Sequence, residues 1–182
     1  MASAYALIET AFGPCGVVWR DGAIRQFQLP EADRAATERR LVRRAGEGAV
    51  PGDVGELGDL TERVRGYFDG EKVDFSDVTL DFGEASDFYR AVYAEALKLG
   101  WGETTTYGAI ARTVSDISAA RAVGQAMGNN PIPLIMPCHR VLASGNRLGG
   151  FSAFGGAVSK ERMLALEGVV PGMPLFAWGG EG

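Results

Sequence analysis

Two prolines flank a single residue in Asn129-Asn130-Pro131-Ile132-Pro133, and this forces irregular backbone inside the second half of the chain. Leu134-Ile135-Met136 follows as a short apolar run predicted to be a buried strand, and Pro137-Cys138-His139-Arg140 comes immediately after it. The chain's only histidine is therefore bonded to one of its 2 cysteines, just ahead of a glycine-rich loop spanning 144–156. A free thiol has a pKa of about 8.5 and only its thiolate is a strong nucleophile, so an imidazole able to take the proton suits an attacking cysteine. Side chains of neighbours in an extended segment diverge, so His139 would reach Cys138 through a water or a turned backbone. Taken alone, the pair reads equally as an inert core cysteine beside a satisfied interior histidine.

The rest of the chain can bury such a segment. Its 182 residues are 46% hydrophobic and 23% charged, with 8 prolines, 26 glycines, no low-complexity tract and no internal repeat, as in a compact globular protein. No run approaches the 18 or so apolar residues of a membrane span and the N-terminus lacks a basic start, so no membrane partner is expected. The expected address is cytoplasmic, or nuclear in a eukaryotic source. Two cysteines are too few for a disulfide framework, and with one histidine no Cys/His zinc site can be assembled without carboxylates; neither metal nor cofactor is expected. The net charge of −5 argues against indiscriminate binding to nucleic acid, but residues 1–85 carry 10 basic and 16 acidic groups against 8 and 7 in 86–182. A nucleic-acid surface would sit in the second half.

The periodicities give an α+β chain. Tyr5–Glu9, Cys15–Arg20 and Ala23–Leu29 read as strands, the last two joined by the turn dipeptide Asp21-Gly22. Glu31–Ala45 and a segment with Leu57, Leu60, Val64 and Phe68 on one face read as helices separated by a loop over 46–58. An acidic connector spans 71–84, and a domain boundary is placed there, giving 1–85 and 86–182. In the second half, Ser86 is expected to cap a helix burying Phe88, Ala91, Val92, Ala96 and Leu99, with Gly100 as its stop. Thr106 is expected to cap a helix over 107–114 and Ser118 another over 119–127, a spacing that suits a helix-turn-helix. A last helix should run from about Val158 to Leu166, closed by Glu167-Gly168.

Asn130-Pro131-Ile132-Pro133-Leu134-Ile135-Met136-Pro137-Cys138-His139-Arg140-Val141 resembles, nearly residue for residue, the active-site signature of the O6-alkylguanine-DNA alkyltransferases, or methylated-DNA-protein-cysteine methyltransferases. The likeness extends back through Gly102–Gly108 and Ala119–Gly124, and forward to Lys160 and Leu166-Glu167-Gly168. It implies a small N-terminal antiparallel sheet with helices, ribonuclease H-like, and a mostly helical C-terminal domain carrying the helix-turn-helix. It also implies a reaction: Cys138 attacks the alkyl carbon on O6 of a damaged guanine, irreversibly and once per molecule. By the same resemblance His139 accepts the thiol proton through a water, Glu167 orients His139, and Asn130 braces the turn. Arg121 would fill the gap left by the flipped base, and Tyr107 would contact that base and its 3′ phosphate. Thr106, Ala122 and Gly124 would lie on the DNA-binding face, docked as a monomer in the minor groove of double-stranded DNA. The Ser152 N–H would stabilise charge on the departing O6, carbonyls of Cys138 and Val141 would read the guanine amino group, and Phe151 and Lys160 complete the substrate pocket.

The sequence departs from the commonest pattern at Phe151, where a tyrosine is frequent, at Ala153-Phe154, an apparent insertion, and at Asp116-Ile117, where many relatives have proline. Cys15 reads as a half-buried strand residue, the Arg39, Arg40, Arg43 and Arg44 cluster as a solvated helix face, and Trp19, Trp101 and Trp178 as packing. Two other classes compete with repair. A damage-binding module of the alkyltransferase-like type would lack the acceptor that Cys138 supplies. A cysteine hydrolase or redox protein would need an oxyanion-hole or Cys-x-x-Cys motif, and neither is present.

Overall fold

A computed structural model describes residues 1–149 and 157–172. Strands β1 (Ala4–Thr10), β2 (Gly13–Arg20) and β3 (Ala23–Gln28) form an antiparallel meander with Ile8 opposite Cys15 and Val17 opposite Phe27. Asp21 and Gly22 both take positive φ, 51° and 78°, as the tight turn of a two-residue hairpin requires. β2 is the central strand, buried from Cys15 to Trp19. Cys15 is therefore fully rather than half buried, and burial pushes its thiol up to about 12, which leaves it inert at neutral pH.

The sheet is not purely antiparallel. After helix α1 (Arg34–Ala45), capped by the Asp33 carboxylate on Ala36 N–H at 2.7 Å, the chain returns as a two-residue strand β4 (Val50–Pro51) parallel to β1. Pro51 is tolerated because this is an edge, where no further strand needs its missing N–H. Leu41 of α1 is packed so closely on β2 that a Cβ at Gly16 would come within 2.7 Å of it. Helix α2 (Leu60–Phe68) packs on β1 and buries Leu60, Val64, Tyr67 and Phe68.

The acidic connector is tied to the sheet: Ile24 N–H donates to Thr79 O at 2.9 Å and Asp81 N–H to Ile24 O at 2.8 Å. Ser86 caps α3 (Asp87–Ala96) as expected, through Tyr89 N–H at 3.2 Å. That helix ends at Leu97 rather than Gly100, and its buried face is Val92, Tyr93 and Ala96, with Ala91 exposed. The Tyr93 hydroxyl turns the face by one position, because it donates to Ala126 O at 2.9 Å and so can be buried.

Strand β5 (Thr105–Thr106) leads into α4 (Tyr107–Val114), with Thr106 as the cap through Ala109 N–H at 3.1 Å. A single 3-10 turn over Ile117–Ala119 opens α5 (Ala120–Gly128), and Asp116 rather than Ser118 caps it, accepting from Ser118 N–H at 2.7 Å. The carboxylate at the first polar position takes the role because it meets the N–H two residues on in an Asx turn. Strand β6 (Val141–Leu142) pairs in parallel with β5, placing Thr106 beside Leu142, and α6 (Ala157–Leu166) closes the described chain. One buried apolar cluster runs from Ile8 and Phe27 through Tyr67 to Cys138 and Met163.

Candidate active site

Leu134-Ile135-Met136 is buried as expected but is not a strand: residues 131–137 form successive turns, with Leu134 at φ 74°. Pro133 and Pro137 deny the segment two ladder donors, and one residue in the left-handed region ends any extended run. Asn130, only 2% exposed, holds the loop from inside: its Nδ2 donates to Met136 O at 2.9 Å and its Oδ1 accepts from Ile132 N–H at 2.9 Å. Phe27 N–H at the sheet edge donates to Pro131 O at 3.0 Å, so β3 anchors the same loop from outside.

Out of this loop Cys138-His139-Arg140 emerges as one 3-10 turn, with Cys138 3% and His139 0% exposed. The backbone there is turned rather than extended. Glu167, just past α6, receives four donors. His139 Nε2 at 2.5 Å and the Tyr67 hydroxyl at 2.7 Å meet Oε2, while Arg140 Nε at 2.7 Å and Gly102 N–H at 3.0 Å meet Oε1. Burial alone would raise this carboxyl, but the hydrogen bonds it accepts from His139 and Tyr67 and the charge of Arg140 outweigh burial and hold it down to about 2. It is an anion at neutral pH.

Burial pushes the His139 imidazole down, against the pull of Glu167, so a neutral ring is favoured. Facing a carboxylate, Nε2 must carry the hydrogen; Nδ1 then holds the lone pair, and it has no hydrogen-bond partner among the described residues. Burial raises the Cys138 thiol, while the Asn130 side chain and the Lys160 charge act the other way. Lys160 is itself fully buried, its ammonium lowered to about 8 by burial and donating to Val141 O at 2.7 Å. One lone pair of the Val141 carbonyl is thus taken by the ammonium.

Tyr107, at the first turn of α4, stands beside these groups. Lys160 Nζ lies 5.7 Å from its ring centroid, Gly124 of α5 faces the ring, and a Cβ at Gly149 would come within 2.5 Å of its hydroxyl. Arg121 is exposed on α5 and Ala122 half-buried; the structure places them on the α4–α5 unit rather than in the Cys138 cluster. Phe151, Ser152 and Phe154 lie outside the described residues, as does Trp178. A groove of about 540 Å³ is walled by Phe75, Trp101, Leu134, Pro137 and Arg140, but not by Cys138.

Three groups that shape Glu167 have no role assigned from the sequence, and one of them, Gly102, lies in the Gly102–Gly108 stretch that carries the resemblance. Arg140 stands inside the quoted signature, and its position next to His139 was an available signal. Tyr67 lies 100 positions from Glu167, in the half of the chain that holds none of the quoted motifs, and nothing local marks it.

The family model described as "6-O-methylguanine DNA methyltransferase, DNA binding domain" matches residues 87–169. A methylated-DNA–protein-cysteine methyltransferase of Metallosphaera sedula is 42% identical over 170 residues, covering 93% of this chain and 96% of that one. The chain belongs to this methyltransferase family. The methylated-DNA–protein-cysteine methyltransferase of Mycobacterium tuberculosis is 40% identical over 112 residues, 62% of this chain, and that match spans 65% of the relative's length. A crystal structure of Mycobacterium tuberculosis OGT in complex with DNA superposes with a TM-score of 0.73 at 32% identity, covering 91% of this chain and 93% of that chain. The mixed α+β architecture, a small sheet with helices, is thus the architecture of solved methyltransferases.

Proposed function

We propose that the protein repairs O6-alkylguanine in double-stranded DNA by moving the alkyl group irreversibly to Cys138 Sγ, once per molecule. The observation that carries this reading is the turned Cys138-His139 pair with the imidazole fixed by an ionised Glu167 and its Nδ1 without a hydrogen-bond partner among the described residues. His139 accepts the thiol proton through a bridging water, the thiolate attacks the alkyl carbon, and the C–O6 bond breaks. The proton given up by sulfur balances the one that restored guanine takes on its ring nitrogen. Asn130 keeps the turn in place, and Lys160 favours the thiolate by its charge and supports the Val141 carbonyl that faces the base.

For this repair, residues 1–85 form a ribonuclease H-like sheet domain, and 86–182 a domain whose α4 and α5 make a helix-turn-helix docked in the minor groove. Its support is the short connection capped by Asp116, the exposed Arg121, and the close approach of Gly124 to Tyr107. Arg121 enters the base stack, Ala122 and Thr106 line the groove-facing side, and Tyr107 meets the flipped base. The protein acts as a monomer inside the cell. No helix among the described residues is long and apolar enough to cross a membrane.

Incubating the protein with a stoichiometric duplex carrying one O6-methylguanine, followed by intact and peptide mass spectrometry, tests the reading. One methyl on the Cys138 peptide with loss of the lesion is the expected result. Unmodified protein that retains the lesion duplex would make it a damage sensor instead.

A further inference from the structure

Tyr67 is fully buried in α2, and its ring is boxed edge-on by Trp101 at 5.4 Å, Phe68 at 5.2 Å and His139 at 6.2 Å between centroids. That box aims the hydroxyl at one place: 2.7 Å from Glu167 Oε2 and 3.3 Å from His139 Nε2. Burial and the adjacent Glu167 push the phenol far up, so it stays protonated and can only donate to this carboxylate. The same carboxylate oxygen is the one His139 uses.

We infer that Tyr67 is a positioning residue for the alkyl transfer, through which the N-terminal half sets the orientation, tautomer and basicity of His139. This rests on the repair reading above for its effect on rate, but not for its effect on the imidazole. Two consequences follow from the shared oxygen. Tyr67 fixes Oε2 where Nε2–H must point, which keeps the lone pair on Nδ1. It also competes with His139 for the electron density of Oε2, so Glu167 stabilises the imidazolium less than it would alone. The other charged and titratable groups facing the ring act alongside it: Arg140 and Lys160 disfavour its protonation, Cys138 adjoins it in the chain, and Glu167 alone favours the cation.

The placement has a consequence for how the protein is built. A residue of α2 supplies one of the four donors on the catalytic carboxylate, so residues 1–85 are part of the proton-handling apparatus and not only a scaffold.

His139 is the only histidine in the chain, so one imidazole ¹⁵N signal set reports its tautomer and titration in the intact protein. In the unsubstituted protein the Nε2–H tautomer is expected, titrating below the ordinary imidazole value of 6.5. Tyr67→Phe keeps the ring and removes the donor; the titration midpoint should rise by about one pH unit and the single-turnover transfer rate at neutral pH fall about tenfold. The acid limb of the rate profile should move up with the midpoint. A packing control away from the box, Leu41→Ala in α1, should lower the melting temperature and leave the midpoint in place.

An Nδ1–H tautomer in the unsubstituted protein overturns the inference, whatever the variants do. So does a slower Tyr67→Phe with an unmoved imidazole midpoint, which would make Tyr67 structural only. A midpoint that moves in a protein that transfers no alkyl group would leave the positioning role standing and remove the repair reading instead.

Discussion

His139 and Glu167 lie 28 positions apart and meet at 2.5 Å with both side chains fully excluded from solvent. A buried carboxylate is costly to desolvate, and it persists here because Arg140, Tyr67 and Gly102 N–H satisfy its remaining lone pairs. This is why a helix end, a 3-10 turn and a helix of the other half of the chain converge on one oxygen pair.

Cys138→Ser should bind a lesion duplex and transfer nothing. The fold should survive, because serine nearly matches the thiol in shape and the turn is held by Asn130 rather than by the sulfur. Gel-shift titration beside mass spectrometry reads both halves, and retained transfer would overturn the assignment of the acceptor.

Glu167→Gln leaves the Arg140 guanidinium buried without its anion. Removing one partner of a buried pair costs about 3–5 kcal/mol, so a large drop in urea midpoint is expected, together with loss of transfer. Equilibrium unfolding at pH 7.5 measures the first and a single-turnover assay the second.

Acid should destabilise the protein in two stages. The His139 imidazole is lowered on folding, so the unfolded chain binds that proton more readily and stability is lost as pH falls through 6.5. The Glu167 carboxyl is also depressed, from 4.5 to about 2, so its contribution is full above 4.5 and is lost as pH falls from there towards 2. Urea unfolding at a series of pH values should show stability declining below about 6.5 and more steeply below 4.5. A flat profile between pH 7 and 4 would contradict the buried pair.

Asn130→Ala removes the bonds to Met136 O and Ile132 N–H and leaves both backbone groups buried. Unsatisfied groups of this kind cost about 1–3 kcal/mol each, so the melting temperature should fall by several degrees. Because the same amide side chain also lowers the thiol, Cys138 reactivity towards a small alkylating reagent should slow as well.

Gly149→Ala should impair both transfer and stability. The residue has φ 67° and sits exposed, but the added methyl would meet the Tyr107 hydroxyl at 2.5 Å. The tyrosine must move, and alanine held at positive φ costs about 1–2 kcal/mol, so the expected outcome is a slowed single-turnover rate with a melting temperature lowered by several degrees.

Much of the fold was legible where neighbours within about four residues decide the outcome. Asp21-Gly22 can adopt two successive positive φ values, and Ser86 and Thr106 can each bond an N–H three residues on. The same local reasoning failed at Leu134–Met136, because an apolar run announces burial but not the way in which it is buried. It failed at Ser118 too, where two polar side chains compete for one cap and Asp116 wins by an Asx turn.

The sequence by itself determined that a cysteine and the sole histidine are adjacent, that prolines make the backbone just ahead of them irregular, and, through its motifs, which family the chain resembles. Only the tertiary structure decided that Tyr67 and Arg140 join Glu167. Proton donors around a buried charge are recruited by whichever elements the topology packs there, and a separation of 100 positions leaves no periodicity or spacing to read.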